Sequence, residues 1–359
     1  MKLPFQNRDA TTQTVTGRRP GIGFAARWIR TALIVAVVTL FLVCSGTELF
    51  LRYVTLADRH SAIQTPEISG LADVQSSTFS TWRLLPNLKD VVLKTYIVNN
   101  ATAKLPRSFV LSTNEAGYRG PPLQPAGSRV RILALGDSTT FGLCVNDQET
   151  WPAQLQALLN ANAGLEKYEV VNGGVTGYTI YQALRRIDEW LALKPSVVIL
   201  TSGNNEWDSW EGISDIERYG LTDPLEPGSR GLRLPSLVRW RMLQSTRKGD
   251  GRPRLNCAEY AECLKKMTTL FTQNGIRVIC VLWPQAFQIE NKQPQPVHYQ
   301  DSLRQFCGAE RVPLVDLMGP FLASGETLYC DTVHTNTRGC ALVAVSLAQR
   351  LHALEAAAS

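Results

Sequence analysis

Histidine is scarce in this chain. His60, His298, His334 and His352 are all it has, which narrows the search for an imidazole that could serve as a base. Only His334 has a carboxylate three residues before it, in Asp331-Thr332-Val333-His334, within a loop-like stretch rich in Gly, Asn and Thr. The 8 cysteines include no Cys-x-x-Cys pair, which takes away the usual support for a zinc or thioredoxin-like site. No Gly-x-Ser-x-Gly occurs, so the nucleophile elbow of an ordinary α/β-hydrolase is missing. No internal repeat is visible. A basic domain is lacking too, despite a net charge of +6. Lys2, Arg8, Arg18, Arg19, Arg27 and Arg30 face Asp9 alone in the first thirty residues. The rest of the chain is close to neutral and offers no basic surface for nucleic acid.

The basic tail runs into Thr31-Ala32-Leu33-Ile34-Val35-Ala36-Val37-Val38-Thr39-Leu40-Phe41-Leu42-Val43-Cys44. With its flanks, from Trp28 to about Leu51, this segment approaches the roughly 20 residues that a helix needs to cross hydrocarbon. A cleaved signal peptide fits less well, because the tail before the apolar run is long and no small-x-small cleavage site follows. Val43 stands before Cys44 where a lipoprotein wants a small residue. The expectation is a single-pass anchor over 29–51. Its arginines keep the tail at 1–28 cytoplasmic and put everything after it on the extracytoplasmic side. Eight cysteines fit an oxidising compartment. Cys44 lies in the anchor, so at least one of the other seven cannot pair internally. Cys257 and Cys263 could close a small loop if the helix between them bends or starts late. Cys307, Cys330 and Cys340 could supply another bridge, and Cys280 reads as a buried thiol.

Residues 52–128 form a mixed segment, a stalk or a small cap, with a structured turn at Asn114-Glu115-Ala116-Gly117-Tyr118-Arg119-Gly120 ahead of the breaker Pro121-Pro122. Regular alternation begins at 129. Strands are expected at 130–135, 168–171, 196–201, 276–283 and 312–315. Helices are expected at 151–159, 257–271 and 338–354, and Ile180, Leu184, Ile187 and Leu191 recur at helical spacing. Short buried strands alternating with helices predict a three-layer α/β/α sandwich around a central parallel sheet over 129–355. Active sites in such folds collect at the carboxyl ends of the strands. Residues 207–255 interrupt the alternation as an insertion. Between Arg230 and Arg254 it holds eight basic residues against Asp250 alone, and Trp207, Trp210 and Trp240 punctuate it. It reads either as a lid selecting an anionic or carbohydrate substrate, or as a solvated loop with aromatic residues in local packing.

Four short blocks fall at or after strand ends. They are Gly136-Asp137-Ser138, Asn172-Gly173-Gly174-Val175-Thr176-Gly177, Gly203-Asn204-Asn205-Glu206 and Asp331-Thr332-Val333-His334. Taken singly, each has a structural alternative. Ser138 can cap a helix, Gly177 can be a turn residue, Asn205 a loop hydrogen-bonder, and Asp331 with His334 a cap and a surface imidazole. Together, and in this order, they point to a serine activated by an imidazole that a carboxylate orients. Asp137 is expected to brace its turn. The four blocks resemble those of the SGNH hydrolases, the GDSL esterase family, over about residues 129–355. The anchor and the 114–120 turn resemble a membrane-tethered branch of that family. Thr139 stands where the family name has Leu, and Glu206 where Asp is commoner.

The resemblance implies a flavodoxin-like SGNH hydrolase fold behind a transmembrane helix. It assigns Ser138, His334 and Asp331 to a catalytic triad, and the Ser138 and Gly177 amides with the Asn205 side chain to an oxyanion hole. No metal or organic cofactor is implied. The expected activity is hydrolysis of acyl or acetyl esters of carbohydrates or lipids. Envelope polysaccharide or lipid is the suggested substrate for a tethered, outward-facing enzyme. The alternatives are O-acyl transfer to a glycan and a non-catalytic glycan-binding or assembly role.

Overall fold

The structure, a computed structural model, describes residues 22–53, 68–69, 75–77, 81–98, 104–164, 166–209, 212–225, 229–246, 251–290 and 298–356. Two compact units divide the chain after Thr55. The first holds one helix, α1 (Ile22–Tyr53). Its span Ala26–Tyr53 contains an 18-residue stretch of mean hydropathy 2.2 and is long and apolar enough to cross a membrane, a property shared by anchors and signal sequences.

The second unit opens with short antiparallel pieces: β1 (Ile68–Ser69), β2 (Gln75–Ser77), β3 (Trp82–Leu84), β4 (Val91–Val98) and β5 (Lys104–Leu111). β4 pairs with β1 and β5, and β2 pairs with β3. Then the alternation takes over: β6 (Val130–Gly136), α2 (Ser138–Phe141), α3 (Trp151–Ala163), β7 (Tyr168–Gly174), α4 (Ile180–Leu184), α5 (Ile187–Ala192), β8 (Val197–Thr201), α6 (Asp215–Thr222), α7 (Arg233–Thr246), α8 (Cys257–Gln273), β9 (Arg277–Leu282), α9 (Ala286–Glu290), α10 (His298–Glu310), β10 (Leu314–Asp316), α11 (Met318–Ser324) and α12 (Thr337–Ala356).

The main sheet is parallel throughout and ordered β10-β9-β8-β6-β7. In chain order this is the 2-1-3-4-5 arrangement of flavodoxin-like sheets, with the crevice for a ligand where β6 meets β8. Side-chain alternation divides the core between its two faces. Leu133, Leu135, Val198, Leu200, Cys280 and Leu282 pack on one side under α4, α5, α8 and α10. Ile132, Ala134, Val197, Ile199, Ile279 and Val281 pack on the other with α3 and α12. Strands buried on both faces need the near-continuous apolar runs that the sequence has there.

Local signals set most helix ends. Thr150 caps α3, with Pro152 in its first turn and Gly164 in the left-handed region after it. Asn256 and Glu259 form a capping box on α8. The apolar spacing from Ile180 to Leu191, however, yields two helices and not one. The Ala183 carbonyl accepts from the Arg186 N–H at 3.1 Å and the Trp190 indole at 2.8 Å, which breaks the ladder between α4 and α5. The possible disulfides are not formed either, since all eight cysteines are free thiols. Cys257 and Cys263 lie six positions apart on the regular helix α8, about 9 Å along its axis, beyond the reach of a bridge.

The turn at 114–120 proves to be an anchoring device. The Asn114 side chain accepts from the Ala116 and Tyr118 amides, both at 3.0 Å, and the chain reverses so that Arg119 enters the core. Its guanidinium donates to the carbonyls of Val110, Phe141, Gly142 and Val145 and to Asp147. One buried cation thus ties β5 to the end of α2. Removing it leaves those acceptors and Asp147 uncompensated. Arg119→Met is expected to lower stability by about 3–5 kcal/mol, read as a reduced urea midpoint of the purified full chain.

Candidate active site

The site sits at the carboxyl end of the sheet. β6 ends at Gly136, and Ser138 begins α2 two residues later. Asp137 is the cap of that helix, so Ser138 is released from capping. Asp137 Oδ1 accepts from the Thr139 N–H and hydroxyl, both at 2.8 Å, and its Oδ2 accepts from Asn204 Nδ2 at 3.0 Å. Asp137 therefore braces the turn. Thr139 thus gives this carboxylate two donors, its N–H and its hydroxyl. Burial raises the Asp137 carboxyl above its ordinary range, and the bonds from Thr139 and Asn204 pull it back. α2 lies hard against β7, where a Cβ on Gly174 would come within 2.1 Å of the Phe141 nitrogen. Only glycine allows that approach.

Asp331 and His334 arrive from a loop between α11 and α12. Asp331 Oδ1 accepts from the Val333 and His334 amides at 2.9 and 2.7 Å, which folds the loop into a tight turn. The loop after β9 fastens it from below. Trp283 Nε1 donates to Val333 O at 3.0 Å, and Ala286 N donates to Thr332 O at 2.8 Å. The result is a continuous chain of polar atoms. His334 Nδ1 lies 2.6 Å from Asp331 Oδ2, and His334 Nε2 lies 2.8 Å from Ser138 Oγ.

The protonation pattern follows from charge. Burial works against an ionised Asp331, but the facing His334 and the hydrogen bonds from His334 and Val333 outweigh it and hold the carboxyl at about 2. A carboxylate can only accept, so Nδ1 carries the imidazole proton and neutral Nε2 is left to accept the serine hydroxyl. Burial also acts to lower His334, yet the charge of Asp331 and its hydrogen bond raise the imidazole above 6.5. Such an arrangement can take a proton from a hydroxyl and hold the resulting cation.

The remaining two blocks line the same end of the sheet. Gly177 adopts φ 72°, in the left-handed region. Among the described residues, no acceptor takes the N–H of Ser138 or of Gly177. Asn205 Nδ2 donates one hydrogen to Tyr178 O at 2.9 Å and retains a second. Glu206 is fully buried and accepts from the amides of Ile180, Gly203 and Asn205 at 2.9, 2.9 and 3.1 Å. It joins the loops after β7 and β8. Burial and the charge of Asp137 push it up to about 7, against the pull of its amide donors and Arg254. The four blocks thus supplied Ser138, His334 and Asp331, which meet directly, and Gly177 and Asn205, which are linked through Tyr178. Sequence reasoning missed Asn204, Arg254 and Trp82. Arg254 Nη1 donates to Gly177 O at 2.7 Å, and Trp82 Nε1 donates to Thr176 O at 2.8 Å.

Among the described residues, no group of three or more His, Cys, Asp or Glu side chains is arranged to hold a metal ion. A doubly wound parallel sheet with an imidazole-bonded serine at its carboxyl edge defines a hydrolase class. Residues 134–342 match the model of the GDSL-like Lipase/Acylhydrolase family, and the chain belongs to that family of ester-hydrolysing enzymes. No curated protein matches it. Similar solved structures include an acetyl xylan esterase called AlAXEase (19% identity, 61% of this chain and 98% of that one, TM-score 0.44). An acetylxylan esterase from Geobacillus stearothermophilus is another (20% identity, 63% and 95%, TM-score 0.42). A third is a lipase/acylhydrolase from Enterococcus faecalis (19% identity, 62% and 94%, TM-score 0.42).

The charge pattern has a direct readout. In a nuclear magnetic resonance titration, the His334 imidazole is expected to titrate above 6.5. Asp331→Asn removes the raising partner and leaves the burial, so the midpoint should fall; an unchanged midpoint would contradict the assigned cause.

Proposed function

We propose that the protein is a membrane-tethered serine esterase that removes acyl groups, acetyl among them, from envelope glycans. The chain Asp331–His334–Ser138, at 2.6 and 2.8 Å, is the observation that carries this reading. Ser138 Oγ attacks the ester carbonyl while His334 Nε2 takes its proton. Asp331 fixes the tautomer and stabilises the imidazolium. The oxyanion of the tetrahedral intermediate accepts from the Ser138 and Gly177 amides and the free hydrogen of Asn205 Nδ2, and loss of one such donor costs about 3–4 kcal/mol of barrier. His334 then protonates the departing alcohol. In the second half it deprotonates water, which attacks the acyl-enzyme and regenerates Ser138. The base must be neutral, so kcat/KM should fall as pH drops through the His334 pKa, above 6.5.

A sugar-borne ester is favoured by Trp207. Its side chain is exposed, at 59%. It follows Glu206 directly, and its indole N–H donates to Asn204 O at 2.7 Å, which fixes the ring beside the loop that carries Asn205. An exposed, pre-fixed indole face suits the apolar face of a pyranose. Of the other two tryptophans of the insertion, Trp240 is buried with Ile213 and Leu221 and gives no such surface, and Trp210 lies outside the described residues. The apolar helix α1 supports the tether, and the arginines before it favour a cytoplasmic N-terminus with the catalytic unit on the far side.

Turnover of a nitrophenyl acetate by the full chain in detergent, compared with Ser138→Ala, tests the chemistry. The variant should lose activity by on the order of 10³-fold or more, and equal rates would sink the reading. Acetyl release that requires an added acceptor sugar would reassign the reaction to acyl transfer. Trp207→Ala should raise KM for an acetylated oligosaccharide by about 10-fold, an effect of ~1.4 kcal/mol. It should leave the nitrophenyl ester unaffected.

A further inference from the structure

The Gly177 N–H does not stand alone. It shares one planar trans unit with the Thr176 carbonyl, and in such a unit the two groups point in opposite directions. Whatever holds the carbonyl on one side aims the N–H toward the other. A glycine follows this peptide, and glycine's freedom at φ 72° makes a flipped peptide plane easy to reach. The orientation therefore depends on a bond from outside the loop.

Trp82 supplies that bond. Its Nε1–H donates to Thr176 O at 2.8 Å, across 94 positions of sequence and in a buried setting. The ring is itself fixed. It is 4% exposed, meets the Tyr178 ring edge-on at 5.3 Å and 82°, and its own carbonyl accepts from the Tyr178 hydroxyl. The next two carbonyls of the loop are held as well. Gly177 O accepts from Arg254 Nη1 at 2.7 Å and Tyr178 O from Asn205 Nδ2 at 2.9 Å. Arg254 is in turn paired with Asp215 through two bonds and with Gln182. Three consecutive carbonyls thus point into protein donors. Of the three donors, only Trp82 acts on the peptide that bears the Gly177 N–H.

We propose that Trp82 is a positioning residue of the active site, holding the Thr176–Gly177 peptide so that its N–H faces the oxyanion. This rests on the esterase reading above. It also assigns a catalytic contribution to a segment outside the region that matches the family, which starts at residue 134. The segment otherwise reads as a stalk or cap. A preorganised donor is worth more than one that must turn during the reaction, so the loss should appear in the chemical step and not in substrate binding.

The test is Trp82→Phe in the full chain, which keeps a ring against Tyr178 and deletes the donor. The expected result is a fall in kcat of about 10- to 100-fold, part of the loss seen when a whole oxyanion donor is removed. KM should stay within about twofold, and the midpoint of the pH–rate profile should not move, because the surroundings of His334 are untouched. A merely structural role would instead lower the active fraction and the melting temperature together, with the kcat of the folded fraction unchanged. Should the phenylalanine variant fold poorly, benzothienylalanine at position 82, the sulfur isostere of tryptophan, removes the N–H at nearly constant shape and should give the same loss. Wild-type kcat in either folded protein overturns the proposal. A wild-type enzyme with no turnover of any ester overturns the esterase reading and this inference with it, whereas an active wild type matched by its variant overturns this inference alone.

Discussion

A single hydrogen bond, from Ser138 Oγ to His334 Nε2, spans 196 positions of sequence. Its 2.8 Å length demands that two loops on separate elements be placed to a fraction of an ångström. The sheet provides the coarse placement, because β6 delivers Ser138 at the edge where the strand order reverses. The fine placement is done by polar atoms. Asp137 holds the serine turn, and Asp331 holds both the imidazole and the backbone of its own turn. Trp283 and Ala286 hold the far side of that loop. The proposed chemistry needs all of these before any substrate arrives, since a base that must search for its proton loses the benefit of proximity.

Buried ionisable groups are the means by which the loops are fixed. Arg119, Arg254 and Glu206 are each almost completely removed from water, and each bonds backbone groups of the loops around the site. A buried ion is costly unless its polar atoms are paired, and a backbone carbonyl or amide is an acceptable partner. The net stabilisation from such a cation is modest; the penalty falls on a chain that loses it. Glutamate at 206 fits this scheme better than a shorter acid. Its two oxygens reach the Ile180 amide at the start of α4 as well as Gly203 and Asn205 on the β8 loop, coupling the loops that carry Gly177 and Asn205.

Much of the architecture could be read from the chain because its signals are local. Ile132 to Gly136 and Val197 to Leu200 are apolar on both faces, and Asn274-Gly275 ends α8 as its composition suggests. The four blocks were legible for the same reason, each being short and next to a strand. What escaped was non-local. Nothing near Trp82 indicates that its indole meets Thr176, and nothing near Arg254 distinguishes it from the seven other basic residues of its stretch. Yet Arg254 is 2% exposed and bonded to Asp215. The helices α6 and α7 were hidden in a segment that read as an interruption. The strands β4 and β5 gave no clear period, because Leu93 is buried while neighbouring Val92 is exposed, and Pro106 sits inside β5.

The account stands or falls on whether Ser138 is an activated nucleophile in the intact protein, and a fluorophosphonate probe asks this without knowledge of the substrate. Mass spectrometry of the labelled full chain should find the covalent adduct on Ser138. The adduct should be lost in Ser138→Ala and strongly slowed in His334→Ala. A folded wild-type chain that stays unlabelled at Ser138, or a His334→Ala variant labelled as fast as wild type, would contradict it.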